Sequence, residues 1–161
     1  MKPGVREVMT QPVHLLAFGF GAGLSPLAPG TIGTLVAVPL AAAAWLMPLW
    51  PRVALGIVLL VGGTWICGES ARRLGVHDYG GIVMDEIASF YLLMLLLPAN
   101  WSWMAAGFVM FRIFDIAKPW PIGPLDRRVG GGFGIMLDDV VAALFAALVL
   151  QLGNLAWKSL A

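Results

Sequence analysis

Nine acidic residues occur in this chain. Six of them stand in tight groups at the ends of apolar stretches: the doublet Asp85-Glu86, the doublet Asp138-Asp139, and Asp115 with Asp126 around the run Phe111-Arg112-Ile113-Phe114-Asp115-Ile116-Ala117-Lys118-Pro119-Trp120-Pro121. A carboxylate in apolar surroundings is costly, roughly 2.5–3.5 kcal/mol at a bilayer centre. One acid at a helix start can cap it and gain about 0.3–1 kcal/mol from the helix dipole. A second acid beside it adds only repulsion unless a cation is present. The two doublets are therefore expected to open two helices on one face and to collect a divalent cation. Hard carboxylate oxygens suit Mg²⁺, which takes a few carboxylates and completes its shell with water and phosphate oxygens.

Basic and backbone groups near these acids extend that chemistry. Arg112, Asp115 and Lys118 recur at every third position, so Arg112 and Asp115 are neighbours on one helix surface. They form either an internal ion pair or a site in which Asp115 joins the metal while Arg112 or Lys118 faces phosphate oxygens. Asp126-Arg127-Arg128 belongs either to that site or to a solvated loop. The stretch Gly19–Thr34, with Ser25, Gly30, Thr31 and Thr34, places backbone N–H groups and hydroxyls at the start of an apolar segment, where anions bind readily. The alternative is a tight turn that needs small residues. It matches neither a Walker loop nor a dinucleotide fingerprint. Gly130–Gly134 is either a hinge or backbone that approaches a ligand closely. His77-Asp78 is a weak general-base signal, with Asp78 the better candidate as a further metal ligand. His14, on an apolar segment, reads as structural. No serine sits in a nucleophile elbow, and the single Cys67 among apolar neighbours reads as a packing residue.

Apolar elements must position these groups. The 161 residues are 60% hydrophobic and 12% charged, with a mean hydropathy of +0.87, against about a quarter charged in soluble domains. Lysine, arginine, aspartate and glutamate are absent between Glu7 and Arg52 and from Val53–Gly68, Ile87–Phe111 and Val140–Trp157. A spanning helix takes about 20 apolar residues, so the expected class is an all-α polytopic membrane helix bundle in a single domain, residues 1–161. About five spans are expected: Thr31–Met47, Arg52–Glu69, Asp85–Leu97, Trp101–Ala117 and Asp138–Trp157. Pro12–Phe20 would add an interfacial or re-entrant helix. The N-terminus lacks the cleavage site of a removed signal. Lys2, Arg6, Arg72, Arg73, Lys118, Arg127 and Arg128 fall on one side of this topology and only Arg52 and Lys158 on the other. The positive-inside rule then puts the acidic groups on the cytoplasmic face. A net charge of +1 and the lack of a basic stripe argue against nucleic acid as a partner.

The blocks GFGAGLSPLAPGTIGT (Gly19–Thr34), VHDYGGIVMDE (ending at Asp85-Glu86) and FRIFDIAKPWPIGPLDRRVGGGFGIMLDD (Phe111–Asp139) resemble bacterial phosphatidylglycerophosphatase A over most of the chain. The resemblance implies a Mg²⁺-dependent, multi-pass enzyme of the bacterial inner membrane. It would hydrolyse phosphatidylglycerophosphate to phosphatidylglycerol and inorganic phosphate. Asp85, Glu86, Asp138 and Asp139 match the family's acidic positions, Asp115, Lys118 and Asp126-Arg127 its central block, and Asp78 its loop acid. The chain departs at Met84, where an aromatic is expected, and at Tyr79, where histidine is common. The expected roles are catalytic for Asp85, Glu86, Asp115, Asp138 and Asp139. Asp78, Asp85, Glu86, Asp138 and Asp139 would hold metal. Ser25, Gly30, Thr31, Thr34, Arg112, Lys118 and Arg127 would bind substrate. Water is favoured over an aspartate as nucleophile. The competing class is a membrane cation transporter or channel using the same acids, though such acids should lie at mid-membrane. The aspartate run of the CDP-alcohol phosphotransferases and the Ser-Gly-His segment of histidine-dependent lipid phosphatases are both missing.

Overall fold

The computed structural model describes residues 3–76 and 79–160, and among these every regular element is helical. The order is α1 (Val5–Thr10), α2 (Pro12–Ala17), a 3₁₀ segment (Gly19–Leu24), α3 (Pro29–Ala44), α4 (Leu49–Leu74), α5 (Met84–Leu96), α6 (Trp101–Ala117), α7 (Ile122–Arg128) and α8 (Gly131–Leu160). Local sequence explains most of the boundaries. Pro29 occupies the first turn of α3, where its missing N–H costs nothing. The Asn100 side chain accepts a hydrogen bond from the Trp103 N–H and caps α6. Gly75, at φ +67°, closes α4 in the left-handed region, the usual place for glycine after a helix.

Helix α5 forms the centre. Its Phe90, Tyr91 and Leu93 are essentially inaccessible, and it packs extensively on α3, α4 and α8. Helix α6 leans chiefly on α8 and touches α3 only lightly. Helices α4 and α8 approach with their backbones almost in contact. A Cβ on Gly68 would stand 2.9 Å from the Gly132 nitrogen, and one on Gly132 would strike Thr64 O. Within the glycine run before the second doublet, Gly132 thus serves close helix packing.

Helices stand at all five of the expected spans. Two of them, α4 and α8 through Ser159, are long and apolar enough to cross a membrane; α3 is apolar but shorter. Ile57, Val58, Val61 and Trp65 on α4, and Leu144, Leu148, Leu152 and Leu155 on α8, are exposed. Such contiguous apolar surface marks an interaction face.

The structure corrects two sequence expectations. Helix α8 starts at Gly131, so Asp138-Asp139 lies inside the helix and does not open it. The helical Gly132 there is packed against α4, which local propensity does not reveal. Pro12–Phe20 is not one helix either. Helix α2 stops at Ala17, and the chain turns through left-handed Gly19, Phe20 and Gly21. Phe18 is buried completely, and the Val83 N–H donates to Ala17 O at 2.8 Å, which ties this turn to the start of α5.

Candidate carboxylate site

The site is assembled by fixing the first turn of α5. Val83 precedes it, wedged against the backbones of Gly33 on α3 and Gly19 in the N-terminal turn. A Cβ on Gly33 would stand 2.5 Å from that of Val83, and one on Gly19 would stand 2.9 Å from a Val83 methyl. Glycine is required at both places by the close approach. Asp85 and Glu86 follow in the first turn of α5, and α8 supplies Asp139. Ligand oxygens of Asp85, Glu86 and Asp139 all lie within 4.8 Å of one another. Asp85, Asp138 and Asp139 are 8%, 5% and 3% exposed, far below what an unpaired carboxylate tolerates.

Asp85 Oδ1, Glu86 Oε2 and Asp139 Oδ2 are buried without a hydrogen-bond partner among the described residues. Buried polar atoms are ordinarily satisfied, and converging anions repel. Three orphaned oxygens on three converging acids therefore fit a divalent cation that prefers oxygen donors. These three donors are all carboxylates, whereas softer metals favour thiolates or imidazoles.

Two cations flank the cluster. Arg112, near the end of α6, donates from Nη1 to Asp115 Oδ2 and lies 3.7 Å from Glu86 Oε1, while its Nε has no partner among the described residues. Lys118, in the left-handed region at the end of α6, donates from Nζ to Asp126 Oδ1 and to Asp138 Oδ2, each at 2.7 Å. Burial works against the Lys118 charge, but the bonds to Asp126 and Asp138 outweigh it and hold the ammonium above its ordinary pKa. This one side chain joins α6, α7 and α8.

The expected residues divide accordingly. Asp85, Glu86 and Asp139 converge. Asp138 points instead to Lys118, and Asp115 to Arg112. Gly30 brings the α3 backbone to the rim of the cluster, where a Cβ would strike Glu86 Oε1 and stand 3.1 Å from the Arg112 guanidinium. Thr31 and Arg112 line the same groove. The Thr34 hydroxyl is fully buried and donates to Gly30 O at 2.8 Å. That of Ser25 donates to Leu27 O at 2.8 Å in an exposed turn. Arg127 is exposed on α7. His77 and Asp78 lie outside the described residues. Asp126, ambiguous in the sequence, proves to be a partner of Lys118. The pairing of buried His14 Nδ1 with Ser70 Oγ at 2.9 Å left no sequence signal, because the two residues are far apart in the chain.

Residues 15–154 match the family model described as phosphatidylglycerophosphatase A. Among curated relatives, the phosphatidylglycerophosphatase A of Escherichia coli (strain K12) is 48% identical over 90% of this chain and 85% of its own length. That of Haemophilus influenzae is 41% identical over 88% of each chain. A putative phosphatidylinositol-3-phosphatase of Bacteroides thetaiotaomicron is 35% identical over 87% of this chain and 92% of its own. No solved structure matches. With a family model spanning nearly the whole chain and relatives alike over most of their length, this chain belongs to the phosphatidylglycerophosphatase A family.

Proposed function

We propose that this chain hydrolyses the terminal phosphomonoester of phosphatidylglycerophosphate, releasing phosphatidylglycerol and inorganic phosphate, at a Mg²⁺-dependent carboxylate site on the cytoplasmic face of a multi-pass inner-membrane bundle. The observation that carries the reading is the convergence of Asp85, Glu86 and Asp139 with their unpartnered oxygens, in a chain alike over most of its length to named phosphatidylglycerophosphatases. Helix α3, α5 and α6 would then cross with α4 and α8, giving the five spans. Lys118, Arg127 and Arg128 would lie on the same side as Arg72 and Arg73, which orients that side inward.

The chain's own residues divide the work. A Mg²⁺ ion held by Asp85, Glu86 and Asp139 would supply charge stabilisation at the phosphate oxygens. Arg112, oriented by Asp115, presents a planar donor set matched to a phosphate, with its Nε still to be satisfied. Lys118 holds Asp138 in place and neutralises it, so that the acid adjacent to Asp139 does not repel the incoming dianion. The N–H groups at the start of α3, around Gly30 and Thr31, face negative charge favourably. Because the carboxylates are committed to cation binding and to Arg112 and Lys118, the attacking oxygen is assigned to water. A phosphoaspartate trapped during turnover would contradict that assignment.

The reading is tested by phosphate release from detergent-purified protein. Phosphatidylglycerophosphate and phosphatidylinositol 3-phosphate are presented side by side, the second because of the name carried by the Bacteroides relative. Release from the first at least tenfold faster than from the second is the expected result. Folded protein that leaves phosphatidylglycerophosphate intact would overturn it.

A further inference from the structure

The α3–α6 side of the bundle carries a feature that the phosphatase reading does not use. Because α6 leans on α8 and barely touches α3, an open groove of about 460 Å³ lies between them. Val109, Ile113 and Ile116 line its α6 wall and are 55%, 50% and 69% exposed. Together with Arg112 they follow the spacing of a single helix face. That face is apolar except for Arg112, whose guanidinium turns inward to Asp115 and stands 3.7 Å from Glu86. On the opposite wall Thr31 follows Gly30, the residue in contact with Glu86 and Arg112. The groove is thus continuous with the carboxylate cluster: apolar walls on the outside, one cation at the inner rim.

That polarity matches one class of occupant, an amphiphile with an acyl chain and an anionic phosphate head. A second groove, between α4 and α8, is lined by Leu60, Val61, Thr64, Phe133, Met136 and neighbours with no charged side chain among them. It offers nothing to a phosphate.

We propose that the α3–α6 groove holds an acyl chain of the phospholipid substrate, which enters sideways from the bilayer so that its phosphate passes Arg112 to reach the carboxylates. The proposal rests on the phosphatase reading and assigns Val109 and Ile113 a part in selecting long-chain substrates. Val109→Trp and Ile113→Trp fill the groove at exposed positions, and Val61→Trp does the same in the α4–α8 groove as a control. For each protein kcat/KM is measured on dioleoyl and on water-soluble dibutyryl phosphatidylglycerophosphate. The ratio of long-chain to short-chain kcat/KM should fall about tenfold in both α6 variants, the effect of losing about two buried methylenes, and remain at the wild-type value in Val61→Trp. An unchanged ratio in both α6 variants, equal loss on both substrates, or a fall in Val61→Trp would each overturn the groove assignment. Wild-type protein inactive on both lipids would instead sink the phosphatase reading, and the groove with it.

Discussion

At the scale of single residues, the three converging carboxylates make the sharpest demand. Asp85→Asn and Asp139→Asn each remove a charge while keeping shape, and each should lower turnover by more than the roughly 10–100-fold that disturbing only the partners of metal ligands costs. Phosphate release at saturating Mg²⁺ checks this. Arg112→Lys keeps the charge but loses the planar donor fork. It should cost about tenfold to 100-fold in kcat/KM on the scale of a charge-assisted hydrogen bond, about 1.5–3 kcal/mol. His14 makes a different prediction. It is buried against Ser70 and Phe18, and burial holds its pKa below the ordinary value despite the opposing influence of Glu7 and Glu69, with Arg73 acting in the same direction as burial. The folded state therefore disfavours the proton that the unfolded chain accepts near pH 6.5. Its stabilisation is complete above that pH and is lost as pH falls below it. Thermal melts in detergent should show the gap in melting temperature between wild type and His14→Gln narrowing as pH drops from 7.5 to 5. A constant gap would refute it. Residue types told much of this in advance: acids that cannot be solvated in an apolar chain must converge on something. Pairings told little, since that Asp138 faces Lys118 while its neighbour Asp139 faces Asp85 depends on helix rotation, which no spacing rule fixes.

At the scale of elements, the uncharged runs located the five long helices, with both ends of α5 and α6 to within one residue. The failures were tertiary. Helix α8 extends back to Gly131, with α4 packed on Gly132 at Gly68 and Thr64, whereas a glycine-rich segment alone reads as a hinge or as backbone approaching a ligand. Gly132→Leu should consequently cost about 1–3 kcal/mol by overpacking and shift the Asp138-Asp139 turn away from α5. A melting temperature and turnover both equal to wild type would show that the α4–α8 contact does not position the acids. The cluster also ties α5 to α8, so an ion bound there should stabilise the bundle, by about 2.7 kcal/mol at a hundredfold excess over its dissociation constant. Mg²⁺ should raise the melting temperature of wild type and leave Asp139→Asn unmoved. This readout does not depend on turnover.

At the scale of the whole molecule, the distribution of charge sets the account. The acids gather at the start of α5, late in α6 and early in α8. A cation pathway would distribute them along the bundle, and a one-ended site is what an enzyme acting on a lipid headgroup requires. The apolar character of α4 and α8 was legible from composition. The open α3–α6 side was not, because it reflects how α6 leans and not what it contains. Cysteine labelling in intact cells should find the Arg72-Arg73 turn protected from a membrane-impermeant reagent, and ready labelling would invert the topology. The most direct test is phosphate release from phosphatidylglycerophosphate by purified wild type, Asp85→Asn and Asp139→Asn, in Mg²⁺, in EDTA, and in EDTA back-titrated with Mg²⁺. The carboxylate site predicts release by wild type that EDTA abolishes and Mg²⁺ restores, with both variants inactive throughout. Release that survives EDTA, or that persists at the wild-type rate in Asp139→Asn, would contradict it.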